Sequence, residues 1–190
     1  MNQSKKDLHD LIESCQRGNR QAQFELYQRY APAMLNTCYR IVNNREDAED
    51  VLQEGFINVF RKIGQYRNDA AFGAWVKRIM VNQSINFLRK KRMMTLPLEE
   101  SDAHQEIDET PDEVIYEFNA DQVLQRMQSL APGYRTVLSL YLLEGYDHQE
   151  IADILGISRS ASLTQYHRGK KRLKSLLKKT TQHEPVRKIL

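Results

Sequence analysis

Little in this chain would break a helix. Its 190 residues include only eight glycines and five prolines, and β-branched or aromatic residues hardly ever alternate with polar ones. Half-buried strands need that alternation, so the spacing predicts an all-α protein. Cysteine is scarce as well, with Cys15 and Cys38 alone. They form no Cys-x-x-Cys pair and have no histidines at zinc-ligand spacing, which predicts two reduced thiols on helices and no metal site. No apolar run approaches the roughly eighteen residues of a membrane-spanning helix. The first ten residues are polar and mixed in charge, without the apolar stretch and small-residue cleavage site of a secretory signal. The chain is therefore expected in the cytoplasm, with no membrane insertion. The five histidines are scattered, and neither a Gly-rich phosphate loop nor a Ser/His/Asp order is present. No enzyme activity and no cofactor are expected.

What the chain does have is an uneven charge. The formal net charge is only +3. Residues 1–93 carry 16 Lys and Arg against 10 Asp and Glu, residues 94–119 none against 9, and residues 120–190 carry 12 against 6. Two basic blocks flank an acidic strip. Basic blocks attract polyanions such as nucleic acid, whereas a strip of like charge repels itself and packs poorly. The expected organisation is a helical domain over residues 1–93, a flexible acidic linker over 94–115 containing Pro97 and Pro111, a second helical domain over 116–181, and a tail over 182–190.

Helical spacing gives the elements. In the first block, helices are expected over about residues 6–15, 21–41, 45–63 and 72–93. Pro32 marks a kink or a break in the second. Asn44 suits an N-cap, with Glu46 and Asp47 in the first turn, where the helix dipole favours acids. Leu52, Phe56, Val59, Phe60 and Ile63 form one buried stripe on the third helix. In the second block, helices are expected over about 112–130 and 134–144, the latter ended by Gly145.

The sharpest pattern follows. Asp147 to Glu150 resembles a capping box. Ile151, Ala152, Ile154 and Leu155 keep helical spacing, Gly156 allows a tight turn, and Ile157 is expected as an apolar plug. Ser158 can then cap a helix from Arg159 to about Lys179. Helix, short Gly-containing turn and basic second helix make the DNA-reading helix-turn-helix. In that arrangement Arg159, Ser160, Ser162, Gln165 and Tyr166, beside the capping Ser158, would meet base edges, while His167, Arg168, Lys170, Lys171, Arg172 and Lys174 would supply charge for phosphates. The rival reading is a plain helical hairpin with a solvated basic face. Arg159 is the only cation in the base-reading turn, so specificity there rests on few hydrogen bonds or on DNA shape.

Two faces of the first block invite a functional reading. On the helix from Phe72, one side is apolar, with Phe72, Trp75, Val76 and Ile79. Another side carries Arg78, Asn82, Asn86, Arg89 and Lys90, beside Lys77. Cations there can hold phosphate and amides can bond base edges. The loop before it offers Tyr66, Arg67, Asn68 and Asp69 to an unstacked base. A solvated helix face over a core containing Trp75 is the alternative. On the third helix, Asp47, Asp50, Gln53, Glu54 and Asn58 form either a wet, dipole-favoured face or a docking face for a basic partner.

Residues 46–54, then Phe60-Arg61-Lys62, Phe72, Trp75, Arg78-Ile79, Asn82 and Leu88-Arg89, closely resemble region 2 of the sigma-70 family. Leu130, Pro132, Arg135, Val137, Leu140, Gly145, Glu150-Ile151-Ala152, residues 155–158, Arg168 and Leu173 resemble its region 4. With no insertion for a region 3 domain, the chain is similar to the extracytoplasmic-function (ECF) sigma factors. The resemblance implies a transcription initiation factor that binds core RNA polymerase and promoter DNA. It assigns Asp47, Asp50, Gln53, Glu54 and Asn58 to the coiled coil of the polymerase β′ subunit. Residues 66–71 and the helix from Phe72 would meet the −10 element, and the helix from Arg159 the −35 element. Region 4 would also touch the polymerase β flap, and the acidic linker would thread toward the active-site channel. An anti-sigma factor is a further partner the resemblance allows, and the free protein is expected to be a monomer. Many relatives carry a Gly-Thr-Val-Lys-Ser-Arg-like run where this chain has residues 160–165, with Leu163 in place of a cation. Three rival classes are an autonomous helix-turn-helix regulator, which would need a ligand pocket or dimer face in the first block, an enzyme, and a membrane-linked adaptor.

Overall fold

The computed structural model describes residues 2–67, 71–95 and 119–181, and no strand occurs among them. The chain divides into two compact units, Met1–Leu96 and Pro97–Leu190. Each has its own apolar core. The expected linker lies almost wholly outside the described residues, as do the tail and the first part of the helix expected from residue 112.

The first unit holds α1 (Asn2–Gln16), α2 (Arg20–Val42), α3 (Arg45–Lys62), a single 3-10 turn (Ile63–Gln65) and α4 (Phe72–Thr95). Asparagines set the boundaries. Asn19 accepts the Ala22 N–H at 3.1 Å and starts α2. Asn43 ends it in the left-handed conformation, φ 59°, which asparagine tolerates better than most residues. Its neighbour Asn44 accepts the Asp47 N–H at 2.9 Å and starts α3. Pro32 sits exposed inside α2, and the helix runs through it unbroken.

The buried faces of α2, α3 and α4 meet in one core, with Leu26, Met34, Val51, Phe56, Val59, Val76 and Met80 at its centre. A Cβ on Gly55 would overlap the Met80 thioether, so glycine lets α3 and α4 approach closely. Both cysteines are buried thiols outside any disulfide, as the sequence predicts. Burial, with the Glu25 carboxylate adding to it, pushes the Cys15 thiol up to about 11.

The second unit holds α5 (Ala120–Gln128), α6 (Pro132–Leu138), a π turn (Ser139–Leu143), α7 (His148–Leu155) and α8 (Arg159–Thr181). Pro132 occupies the first turn of α6, where a missing N–H costs nothing. One expectation needs correction, since the helix expected over 134–144 does not run regularly to Glu144. It widens into the π turn, where the Glu144 N–H donates to the Ser139 carbonyl at 3.1 Å. Tyr141, Leu142 and Leu143 are left exposed.

α8 is the central strut of this unit. Leu173 and Leu177 pack with Met127, Leu130 and Leu138. A Cβ on Gly169 would lie 3.1 Å from both Leu138 Cδ1 and Tyr134 Cβ, so the α6–α8 crossing is tight at this glycine. Arg135 is buried, and its Nη1 donates to the Leu130 carbonyl at 2.9 Å, closing the α5–α6 turn.

Candidate nucleic-acid interfaces

α4 separates its residues as the sequence predicts. Phe72, Val76 and Met80 face the core, and Trp75 packs half-buried against it. Arg78, Asn82, Asn86, Arg89 and Lys90 lie exposed on the opposite side, and Lys77 is half-buried. The loop before α4 differs from expectation. Tyr66 is not an open stacking ring: it is 9% exposed. Its ring lies 5.0 Å from Phe72 and 5.5 Å from Trp75, edge-on to the first. Edge-to-face packing in a desolvated cluster is the more favourable place for it. Arg67 is exposed, and Asn68 and Asp69 lie outside the described residues.

The acidic face of α3 is partly tied to α4. Lys91 Nζ reaches Asp47 Oδ2 at 2.7 Å. Gln83 donates to Glu54 Oε2 at 2.5 Å and accepts from Asn58 Nδ2 at 3.3 Å. Asp50 and Gln53 remain exposed. Sequence reasoning missed Ile57, which shares their helical line and is 57% exposed. An apolar residue three places beyond Glu54 and outside the buried stripe was the available signal.

The helix-turn-helix is built as its sequence suggests at both caps. Asp147 accepts the N–H groups of Gln149 and Glu150 at 2.7 and 2.8 Å, and Glu150 accepts the Asp147 N–H at 2.9 Å. Gly156 turns the chain at φ 67°. Ser158 Oγ accepts the Ala161 N–H at 3.1 Å and starts α8. Ile157 is not the expected plug, being 37% exposed. The Gly156 and Ile157 N–H groups both donate to the Ala152 carbonyl, so backbone bonds close the turn without an apolar wedge.

Several expected base readers face inward. Ser162 is fully buried and bonds His148 Nδ1 at 3.0 Å. It faces inward because it lies on the same helical side as Leu173. Gln165 is half-buried, its amide against Gly133 of α6. Tyr166 is half-buried, 4.7 Å from the Tyr141 ring and 5.4 Å from His148. Burial lowers the His148 pKa, reinforced by Arg159 and His167 and opposed by Asp147. Arg159, Ser160 and Lys171 are exposed, Arg168 and Lys170 half-buried. His167, expected near phosphate, and Thr164, which was missed, lie on the outward side. Their place follows from the helical repeat once Ser162 and Leu173 are known to be buried.

Among the described residues no cluster of His, Cys, Asp or Glu could hold a metal ion, and no helix is long and apolar enough to cross a membrane. The arrangement offers surfaces for binding.

Comparison with known proteins decides what is bound. The family description Sigma-70 region 2 matches residues 26–93, and Sigma-70, region 4 matches residues 120–173. The chain belongs to the sigma-70 family. It is 31% identical over 153 residues to the RNA polymerase sigma factor CarQ of Myxococcus xanthus, a match spanning 80% of this chain and 87% of that one. It is 32% identical over 159 residues to the ECF RNA polymerase sigma factor SigE of Mycolicibacterium smegmatis, spanning 82% of this chain but only 61% of SigE. The fold resembles the sigma factor RpoE of Bartonella quintana, solved with the anti-sigma factor NepR, at a TM-score of 0.54 and 18% identity, covering 81% of this chain and 95% of that one. The likeness to SigE places the chain in the ECF group, whose members are transcription initiation factors and not enzymes. Sigma factors bind core RNA polymerase and promoter DNA, and this chain does so as one of them.

Proposed function

We propose that this sigma factor divides promoter recognition and polymerase docking among three helical faces. The outward face of α4 takes the −10 element, with Arg78, Arg89 and Lys90 holding phosphates and Asn82 and Asn86 meeting base edges. Arg67, beside the Tyr66 and Trp75 ring cluster, and with it Asn68 and Asp69, take a flipped base. α8 enters the major groove at the −35 element, with Arg159 and Ser160 leading and Arg168, Lys170 and Lys171 on phosphates. Asp50, Gln53, Glu54 and the exposed Ile57 of α3 dock on the β′ coiled coil, flanked by Asp47 and Asn58. The exposed Tyr141, Leu142 and Leu143 give region 4 an apolar face for the β flap. The work is done in the cytoplasm, and the free chain is a monomer that an anti-sigma factor can cover.

One observation carries this reading: a doubly capped helix-turn-helix whose second helix exposes Arg159, Lys171 and Arg172. Run-off transcription with core polymerase and genomic fragments tests it. Promoter-dependent start sites should appear only when the protein is added. Transcripts that ignore its presence would refute the reading.

A further inference from the structure

The register of α8 shows which of its residues can reach a base. At 3.6 residues per turn, positions seven and eleven apart lie on nearly the same side. Ser162, Gly169 and Leu173 have this spacing, and all three are buried. Half a turn away lies the line Ser160, Thr164, His167 and Lys171, spaced by four, three and four. Ser160 and Lys171 are exposed, and Thr164 and His167 half-exposed.

The hydroxyls on this line are already engaged. Ser160 Oγ pairs with Ser158 Oγ at 3.0 Å, and Thr164 Oγ1 donates to the Ser160 carbonyl at 2.9 Å. Lys171 is a flexible point charge, suited to phosphate. His167 differs from all three. Its ring stands 5.4 Å from Tyr166 at 77°, and Tyr166 is itself held by Tyr141 and His148. A ladder of rings thus supports a planar side chain carrying an N–H at the outward surface.

We propose that His167 is a specificity-determining residue of this sigma factor, donating an imidazole N–H to a major-groove acceptor such as guanine N7 or O6. The inference rests on α8 being the −35 reader. It replaces the base contacts that Ser162, Gln165 and Tyr166 are too inward to make. A supported ring loses little freedom on binding, which favours discrimination over bulk affinity.

The test is run-off transcription with core polymerase on templates whose −35 element is randomised, reading the ranking of sequences recovered. His167→Ala should flatten the preference at one or two adjacent base pairs, with about a ten-fold loss on the best element. His167→Gln should replace that preference with another, because an amide bonds adenine well. Lys171→Ala should lower all sequences evenly and reduce the salt dependence, as a phosphate contact does. Ser162→Ala should keep the wild-type ranking. Circular dichroism confirms that each variant is folded. An even loss across all −35 sequences for His167→Ala, or an unchanged ranking, overturns the inference. Absence of promoter-dependent transcript from the wild-type protein would instead overturn the reading beneath it.

Discussion

Asp147→Ala tests how much of the helix-turn-helix depends on one carboxylate. Asp147 accepts two N–H groups from the first turn of α7, and Glu150 returns a bond to the Asp147 N–H. Alanine leaves those two donors to water alone. Loss of such a cap costs about 1 kcal/mol, within a range of about 0.5–2. The negative charge at the helix N-terminus contributes roughly 0.3–1 kcal/mol more. The expected total is about 1.5 kcal/mol. For a unit this small, about 1 kcal/mol moves the melting temperature by roughly 4–8 °C, so a fall near 10 °C is expected for the second unit. Asp147→Asn keeps the acceptor and removes the charge, and should lose only about the dipole share. Whole-protein melting mixes two units, so the assay is amide hydrogen exchange on α7, with amides of α3 as internal reference. Faster exchange at Gln149 and Glu150, with α3 unchanged, is the expected result. Equal protection in Asp147→Ala and wild type would refute the reasoning, as would an asparagine variant as damaged as alanine.

Two further outcomes follow from titratable groups. The folded protein holds His148 below its ordinary pKa, chiefly by burial. The unfolded chain therefore binds this proton more readily, so the stability it contributes is complete above the ordinary histidine range, near 6.5, and declines as pH falls below it. Urea titrations at pH 7.5 and 5.5 should show a smaller loss in His148→Gln than in wild type. Cys15, raised to about 11, stays a protonated, buried thiol at neutral pH, and Cys38 is buried in the same core. Iodoacetamide should label neither in the native protein and both in urea, and rapid native labelling of either would contradict the structure.

The sequence announces its helices clearly because the signals are local. Asn44, Asp147 and Ser158 cap through their own side chains within three residues. The stripes of α3 and α4 are likewise legible at helical spacing. Elsewhere the outcome depends on contacts between distant positions. Ser162 looks like a groove-facing hydroxyl until α7 places His148 against it, fourteen residues away. Tyr66 looks like an open loop aromatic until Phe72 and Trp75 enclose it. Ile157 looks like a plug because it is apolar, yet the backbone bonds to Ala152 already close the turn. In each case a residue's chemistry was readable and its direction was not. The π turn shows the limit in the backbone itself, since the sequence of residues 139–143 gives no sign of the widened pitch that exposes Leu142 and Leu143.

Under the proposed assignment of α4 and α8 to promoter DNA, the two helices follow one physical plan. α4 and α8 each bury one side in their own unit and present cations on the other, interleaved with amides on α4 and with hydroxyls and an imidazole on α8. The cations meet phosphate, and phosphate contacts hold any duplex alike while weakening with salt. Base-capable groups are few: Asn82 and Asn86 on α4, Arg159 and His167 on α8. Neither helix can therefore be both tight and selective alone. Joining them in one chain makes the second contact nearly intramolecular once polymerase fixes their spacing, and the small preferences then multiply. Under this division, removing an outward cation other than Arg159 lowers occupancy at every promoter, whereas removing Arg159 or an outward amide or imidazole reorders promoters. Promoter choice under this division thus rests on Arg159 and a few amide and imidazole side chains, while attachment to DNA rests on the other cations around them.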